Sequence, residues 1–468
     1  MVELEQKRIA GEVCKESKFK KLKKLCKEVV KQVTKQALQQ WGYEPLKKKK
    51  PEELRVTIKK MIRTRKSRTL ESEIENIMYE IGLTNKNKGD YAVHLETIKD
   101  VNNANHFTTI WQLPRGLLYK DYINKRKYFA DGLTALVDVK ESKGVLVIDV
   151  FKGVIPSKVK YSFNTIEYLD NYVLPMPLGV NQRGLNIIEL TNVVHYLIAG
   201  YTGSGKTVLI KSWIDALLQN PNVLLFVIDL ALIDFIHVKD CAVFASEIEE
   251  ALKIILFLKQ EMIKRKYYLA DFGLDIVKYN VKYPQNKLPY MVLFIDEFAF
   301  TAPGKYHTKE EKRIRNMLQG TIAELSQQAR KVGIHLIICM QRPDKDLISP
   351  IIKNNLIGRI CFRCADRGHS QTVLNSTDAF YLSDADGRLL SLYKGNLVEA
   401  QALYLDSETA RERAMVYGEA KKKTYASYYY KGDDIINEQI SGNNKGLLQH
   451  GQQDEYQKKR LLPRQIDC

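Results

Sequence analysis

The sequence lacks any long apolar run. Its longest runs, 223–228 and 291–295, each stop at an aspartate, far short of the ~20 residues that a membrane-spanning helix needs. The first ten residues, MVELEQKRIA, also lack the apolar stretch of a secretory signal peptide. We therefore expect no transmembrane segment and a cytoplasmic location, with any recruitment to the membrane depending on a partner.

Cysteine is scarce as well, with seven residues scattered along 468, which fits reduced thiols rather than a disulfide framework. Only Cys361 and Cys364 form a C-x-x-C, and no second pair follows at the spacing of zinc ligands. The surrounding sequence RICFRCA is typical of a strand. We therefore predict a structural thiol pair in preference to a zinc site or a redox centre.

Acidic residues are too few to balance the basic ones: 73 lysines and arginines stand against 55 acids, giving a net charge of +18. Most of the excess lies in residues 1–70, which hold 22 basic residues and 8 glutamates. Such a segment is attracted to polyanions, either nucleic acid or an anionic membrane surface. The alternative is a solvated basic arm with no such partner.

Three regions precede or follow the main body of the chain. Residues 1–90 read as a basic helical region, with an amphipathic helix over 19–41 and another helix over 70–81. In 91–175, the β-rich stretches TTIWQLP and GVLVIDVF flank a segment of helical spacing, which predicts a small α+β domain. Residues 411–468 are polar and predicted to be a mobile tail.

Residues 176–410 show apolar strands that alternate with helical stretches. Near-continuous apolar strands separated by helices indicate a parallel sheet covered on both faces, so we predict the α/β class. The predicted strands cover 193–199, 223–229, 291–296, 334–340, 358–363 and 388–393.

A glycine-rich loop lies between the first of these strands and a helix. The sequence GYTGSGKT fits the phosphate-binding pattern G-x-x-x-x-G-K-[ST] in the strand–loop–helix context that the pattern requires. Backbone N–H groups would cradle the phosphates, the lysine would neutralise their charge and the threonine hydroxyl would bind Mg²⁺. The predicted nucleotide-binding residues are Gly200, Tyr201, Thr202, Gly203, Ser204, Gly205, Lys206 and Thr207.

Two acids and an amide follow later strands. Asp296 and Glu297 end the strand MVLFI, which would place Asp296 at the metal and leave Glu297 to activate water. An isolated acid at this position could instead only cap a helix. Gln341 ends the strand that follows in sequence, and since parallel strands end at one edge, it should lie beside Glu297; alternatively, it only forms a turn. His335, among apolar residues in that strand, is expected to be a core histidine.

The chain resembles the FtsK/SpoIIIE family of DNA translocases. Within that family, it is similar to the soluble ATPase part of coupling proteins from conjugative elements of Gram-positive bacteria. The resemblance rests on MPLG at 176–179, on HYLIAGYTGSGKT, on VLFIDEFA and on the long block ARKVGIHLIICMQRPDKDLISPIIKNNLIGRICFR at 329–363.

The resemblance implies a RecA-like P-loop motor, with ATP and Mg²⁺ at the residues above, Glu297 and Gln341 in catalysis, and a hexameric ring. It also implies that Arg330 is an arginine finger inserted into a neighbour's site, with Lys353 a second basic residue near that boundary. The chain departs from the family in having Asp229-Leu230-Ala231 where Asp-Pro-Lys is usual, and in lacking N-terminal membrane helices and a terminal winged-helix pattern.

The function implied is an ATPase that binds and moves DNA for conjugative transfer or maintenance of a mobile element. Its partners would be DNA, copies of itself, and a relaxase or a membrane-channel protein. Two alternatives stay open: an FtsK-like ATPase that drives protein secretion, and a nucleotide-gated DNA-binding scaffold without transport.

Overall fold

The computed structural model describes residues 69–83, 91–101, 103–344 and 347–428. These residues divide into two compact units. The first comprises 69–83, 91–97, 109–133 and 139–148, and the second comprises the remaining described residues. The predicted amphipathic helix over 19–41 and the basic run around it lie outside the described residues. Within the described ranges, no helix is both long and apolar enough to span a bilayer.

The first unit contains three helices and most of a four-stranded sheet. The helices are α1 (Leu70–Glu80), α2 (Tyr119–Asn124) and α3 (Arg126–Leu133), and the sheet has the strand order β1-β2-β4-β3. Its strands are β1 (Val93–Lys99), β2 (His106–Gln112), β3 (Leu136–Ser142) and β4 (Val145–Phe151). Helices α1 and α3 pack closely, since a Cβ on Gly132 would lie 2.8 Å from the Ile77 Cδ1 atom.

The second unit is organised around a ten-stranded sheet with the order β10-β9-β11-β12-β8-β13-β14-β15-β6-β7. Six of these strands, from β10 to β13 in that order, are parallel. The bounds are β6 (Pro175–Asn181), β7 (Gly184–Glu189), β8 (Tyr196–Ala199), β9 (Val223–Ile228), β10 (Val243–Ala245), β11 (Tyr290–Ile295), β12 (Ile334–Met340), β13 (Gly358–Phe362), β14 (Arg388–Tyr393) and β15 (Asn396–Gln401). The predicted α/β class with a largely parallel sheet is confirmed.

Helices cover this sheet and connect its strands. They are α4 (Leu190–Val193), α5 (Lys206–Leu218), α6 (Ile248–Phe272), α7 (Ile276–Lys282), α8 (Lys309–Gln328), α9 (Pro350–Asn355), α10 (Arg367–Leu374) and α11 (Ser407–Tyr428). Every residue of β8, β9, β11 and β12 is buried, because helices lie on both faces of the parallel part. Their shared direction brings the carboxyl ends of these strands to one edge.

The antiparallel half of the sheet differs from the prediction. Residues 174–179 read as a connection because they contain prolines, but they form much of β6, which pairs with β7 and contacts β15 through a single register pair. A bulge between Pro177 and Gly179 accommodates the prolines. Gly179 has φ +139°, and a Cβ there would lie 2.2 Å from the Gln401 carbonyl oxygen, so only glycine fits.

A short parallel pair of strands, β5 (Val159–Lys160) and β16 (Leu403–Tyr404), forms a separate two-stranded sheet. This pairing places residues 159–160, which precede the large sheet in sequence, next to residues 403–404, which follow it. Tyr161, Phe163, Leu403 and Leu405 pack beneath it with Ala216 of α5.

The predicted tail also needs correction, because its boundary at residue 410 falls inside α11. Residues 411–428 are helical, which follows from a sequence rich in alanine, glutamate and lysine and from the anchoring of the helix to α5. Arg413 donates two hydrogen bonds to Asp215, at 2.6 and 2.9 Å, and Ala410 and Ala414 are buried. Residues 429–468 lie outside the described residues.

The C-x-x-C pair lies at the end of β13. Cys361 and Cys364 are both buried free thiols, with their Sγ atoms 3.2 Å apart. Within the described ranges, no group of three or more histidine, cysteine, aspartate or glutamate side chains is arranged to hold a metal ion.

Candidate nucleotide site

The glycine-rich loop leaves β8 and enters α5 with a backbone that only glycine allows. Gly203 and Gly205 have φ angles of +86° and +100°, in the left-handed region that costs other residues energy. A Cβ on Gly200 would lie 2.6 Å from both the Phe362 Cβ atom and the Ser204 Oγ atom. The loop therefore has the tight, side-chain-free path that lets main-chain N–H groups approach phosphates.

A second glycine supports the loop from outside the motif. A Cβ on Gly205 would lie 2.6 Å from the Gly387 Cα atom, and the Gly387 N–H donates to the Ser204 carbonyl at 2.9 Å. Gly387 itself has φ +87°. The turn before β14 thus fixes the position of the loop, a role that the sequence motifs did not indicate.

Asp296 and Glu297 follow β11 and are both buried, 7% and 8% exposed. Burial raises the pKa of Asp296 to about 7, with the positive charge of Lys206 opposing the shift and nearby carboxylates adding to it. Burial likewise raises the pKa of Glu297, and Lys206 opposes that shift too. The Lys206 Nζ atom lies 3.8 Å from the Glu297 Oε2 atom. The two acids are therefore close to the phosphate loop, as predicted.

Gln341 joins Glu297 to the loop. Its backbone N–H donates to the Glu297 Oε2 atom at 2.8 Å, and its side-chain Oε1 accepts from the Thr202 hydroxyl at 2.9 Å. Glu297 also accepts a longer bond, 3.4 Å, from the Ala299 N–H. The sequence predicted that Gln341 would lie beside Glu297, and the structure adds that the contact is made by its main chain.

Asp234 belongs to this site although it fits no motif. Its Oδ2 atom accepts a hydrogen bond of 3.2 Å from the Thr207 hydroxyl. The loop that carries it is ordered by the buried Asp229, which accepts from the Leu232 and Phe235 N–H groups at 2.9 and 3.1 Å. An acid six residues beyond the end of β9 gives too weak a sequence signal to be singled out.

Three buried polar atoms in this group have no hydrogen-bond partner: the Lys206 Nζ, Ser204 Oγ and Asp296 Oδ1 atoms. A buried polar atom without a partner costs free energy, so these atoms are arranged for something that binds there. A cation and a hydroxyl suit phosphate oxygens. The Asp296 carboxylate and the Thr207 hydroxyl are oxygen groups of the kind that Mg²⁺ prefers as ligands. The residues therefore fit a magnesium–nucleoside triphosphate.

The loop lines a cavity of about 590 Å³, within the range typical of small-ligand sites. The phosphate loop lines it together with Asp234 and Gln341. The rest of the lining comes from the chain before β5, from the turn before β14 and from the chain around β16: Ser157, Lys158, Ala385, Asp386, Gly387, Gln401, Ala402 and Tyr404.

Arg330 and Lys353 are not among the described residues that line this cavity. Arg330 is exposed and lies in the turn before β12, whereas Gln341 follows the far end of that strand. Seven residues of β12 separate the two edges by about 20 Å. Lys353 lies in α9, and its carbonyl accepts from Arg359 at the start of β13. The chain therefore does not bring these two residues to its own site.

Comparison with known proteins agrees with this geometry. The FtsK/SpoIIIE family profile matches residues 169–345. A DNA translocase FtsK from Borreliella burgdorferi is 34% identical over 228 residues, 46% of this chain and 28% of that protein. Another DNA translocase FtsK, from Caldanaerobacter subterraneus subsp. tengcongensis, is 31% identical over 287 residues, 58% of this chain and 38% of that protein. The chain thus spans well under half the length of these relatives.

A solved structure has the same fold. The monomer form of the pCW3 conjugation coupling protein TcpA, determined with ATPγS, aligns with a TM-score of 0.53 and 24% identity, over 74% of this chain and 98% of that one. The resemblance predicted from the sequence is confirmed: residues 169–345 of this chain match the FtsK/SpoIIIE family profile, and the FtsK translocases are similar to this chain.

Proposed function

We propose that this chain is a magnesium-dependent ATPase that binds DNA and moves it. The observation that carries the proposal is the convergence of Lys206, Glu297 and Gln341 at one sheet edge, where the Lys206 Nζ atom lies 3.8 Å from Glu297 and the Gln341 N–H donates to the same carboxylate. These groups can hold phosphate charge, accept a proton from water and report on the terminal phosphate.

Each residue has a distinct task in the proposed hydrolysis. Lys206 neutralises phosphate charge, and the backbone N–H groups of the glycine-rich loop orient the phosphates. Glu297 accepts the proton of the attacking water; burial raises its pKa and so makes it a stronger base than an exposed glutamate. The Gln341 N–H fixes the carboxylate orientation. Thr207 and Asp296 would hold Mg²⁺, which stabilises charge on the transferring phosphoryl group.

DNA is the proposed cargo on two grounds. Curated relatives named DNA translocases share 34% and 31% identity over the segment that carries this site. The net charge of +18, concentrated in residues 1–70, favours a polyanion. The setting that we propose, conjugative transfer or maintenance of a mobile element with a relaxase or membrane channel as partner, follows from the resemblance to coupling proteins of conjugative elements.

The proposed assembly is a homo-oligomer, a hexameric ring in the family. Its support in this chain is the position of Arg330, exposed at the sheet edge opposite the nucleotide site, from which it could serve only another copy. An arginine contributed by a neighbour would stabilise charge that develops during hydrolysis.

The direct test is the ATPase rate with and without single- or double-stranded DNA. We expect DNA to stimulate hydrolysis, Lys206→Ala to abolish nucleotide binding, and Glu297→Gln to retain binding while the rate falls by roughly 10²- to 10⁴-fold. Wild-type protein that hydrolyses ATP at a rate indifferent to DNA would overturn the DNA cargo, leaving protein secretion or another cargo. DNA binding without hydrolysis would instead support the scaffold alternative.

Salt dependence tests the basic segment separately. If residues 1–70 contact DNA phosphates, the affinity of the full chain should fall steeply with salt, and removing the segment should flatten the slope. An unchanged slope would assign the segment to another partner.

A further inference from the structure

The cavity that the phosphate loop lines also has an aromatic wall outside that loop. Tyr404 forms this wall, and Lys158 lines the cavity beside it. The Tyr404 side chain is accessible, with 41% of the residue exposed. The Lys158 Nζ atom lies 4.2 Å from the centroid of the Tyr404 ring, a cation–π contact that favours this orientation of the ring.

The wall is built into the fold. Tyr404 lies in β16, whose pairing with β5 is extended by a hydrogen bond of 2.9 Å from the Tyr161 N–H to the Tyr404 carbonyl. The Tyr161 hydroxyl in turn donates to the Asp215 Oδ2 atom of α5 at 2.7 Å. Because α5 begins at Lys206, the Tyr404 wall and the phosphate loop are attached to the same helix and keep a fixed spacing.

One polar side chain of this lining, that of Gln401, already has hydrogen-bond partners. Gln401 donates to the Asp386 carbonyl and accepts from Arg388 at 3.2 Å. Its amide is thereby committed to the turn before β14. Two accessible aromatic rings line the cavity, those of Tyr201 and Tyr404. Tyr201 belongs to the phosphate loop itself, so Tyr404 is the one that lies outside the loop.

We propose that Tyr404 is the platform on which the nucleobase of the bound triphosphate stacks, with Lys158 as the positioning residue that orients the ring. The inference rests on the proposed nucleotide binding. It adds a residue that contacts the base, whereas the residues described above contact only the phosphates, water and Mg²⁺. Every base has a π-face, so stacking favours any nucleobase, and purines present the larger one.

The test compares Mg-ATP with magnesium tripolyphosphate, which has the phosphates and no base, by calorimetric titration of the full chain. In Tyr404→Leu we expect ATP affinity to fall about 10-fold, within the roughly 5- to 150-fold range of base–aromatic stacking, while tripolyphosphate affinity stays unchanged. Tyr404→Phe should keep the wild-type ATP affinity. Tyr381→Leu is the matched control, since Tyr381 is 62% exposed beside Arg367 and does not line the cavity.

The failures are distinguishable. Equal ATP affinity in wild type and Tyr404→Leu overturns the inference, as does an equal loss for ATP and tripolyphosphate, which would assign the ring to folding. Wild-type protein that binds tripolyphosphate as tightly as ATP overturns it as well, without affecting the phosphate site. Wild-type protein that binds neither ligand overturns the proposed function.

Discussion

The Thr207 hydroxyl donates a 3.2 Å hydrogen bond to the Asp234 Oδ2 atom. Thr207 lies at the start of α5 and Asp234 in the loop after β9, so the bond joins the connections that follow β8 and β9, two strands that β11 and β12 separate in the sheet. Asp234 therefore holds in place the hydroxyl that we assign to Mg²⁺.

This bond predicts a magnesium phenotype. We expect Asp234→Ala to raise the Mg²⁺ concentration for half-maximal ATP hydrolysis by roughly 10-fold, because groups that orient metal ligands contribute 10- to 100-fold in affinity. Magnesium titration of the ATPase rate measures this. Asp271→Ala, at an exposed position of α6, is the control, and an unshifted midpoint in Asp234→Ala would show that Thr207 needs no such support.

The placement of Arg330 predicts complementation between variants. Arg330→Ala keeps an intact site and lacks the finger, whereas Glu297→Gln keeps the finger and lacks the base. We expect each alone to hydrolyse ATP at least roughly 10²-fold more slowly than wild type, and a mixture to exceed the sum of the two. Lys331→Ala, next to Arg330 and also exposed, should stay near wild type. A mixture no better than its parts would refute action on a neighbour's site.

Two buried histidines predict a pH dependence of stability. Burial lowers the pKa of His195 to about 3, with the positive charges of His335 and Arg330 adding to the shift, and lowers that of His335 to about 4. Both stay neutral in the folded state below pH 6.5, where the unfolded chain binds protons. The free energy of unfolding should therefore fall with decreasing pH from about 6.5 to 4, by about 1.4 kcal/mol per pH unit for each histidine.

The variant His335→Asn separates this contribution from that of the carboxylates. An asparagine can replace the 3.0 Å contact of the His335 Nδ1 atom with the Val194 carbonyl, but it does not titrate. Urea unfolding at pH 7, 6 and 5 measures how the free energy of unfolding changes with pH. In His335→Asn this change should be smaller than in wild type by the contribution of one histidine, up to about 1.4 kcal/mol per pH unit. Identical slopes would mean that His335 is protonated in the folded state.

The contact between α5 and α11 predicts a stability effect far from the site. Asp215 is 3% exposed and accepts hydrogen bonds from Arg413, Tyr161 and Gln219. Arg413→Met leaves this carboxylate without its cation and should cost about 2 to 4 kcal/mol in unfolding free energy, measured with urea. Arg411→Met, exposed on the same helix, should stay within about 0.5 kcal/mol. Equal effects of the two substitutions would contradict the role of Arg413.

The parts of the fold that the sequence predicted are those with local signals. The buried strands β9, β11 and β12 read as continuous apolar runs, and the glycine-rich loop has a fixed pattern between strand and helix. Strand direction then brought Glu297 and Gln341 together, because parallel strands end at the same edge.

The site residues that the sequence did not predict depend on packing between segments that are distant in sequence. Asp234 reaches Thr207 only because Asp229 folds the intervening loop back. Gly387 and Tyr404 return to the site after about 180 and 200 residues, through sheet pairing and the packing of β5 with β16. No local periodicity in the sequence encodes such contacts. For the same reason, the proline-containing residues 174–179 were predicted to be a connection, although the structure has most of them in β6.

The positions of Arg330 and Gln341 at opposite ends of β12 restrict how copies could join. If Arg330 of one copy reaches the nucleotide site of another copy, the sheet edge before β12 in the first copy contacts the sheet edge after β12 in the second. The two contacting surfaces are then different. Contacts of this kind are head-to-tail, and they propagate until a rotation closes them into a ring or leaves an open helix. A closed two-fold dimer would need one patch that includes both ends of β12, about 20 Å apart, whereas a head-to-tail contact needs only one end from each copy.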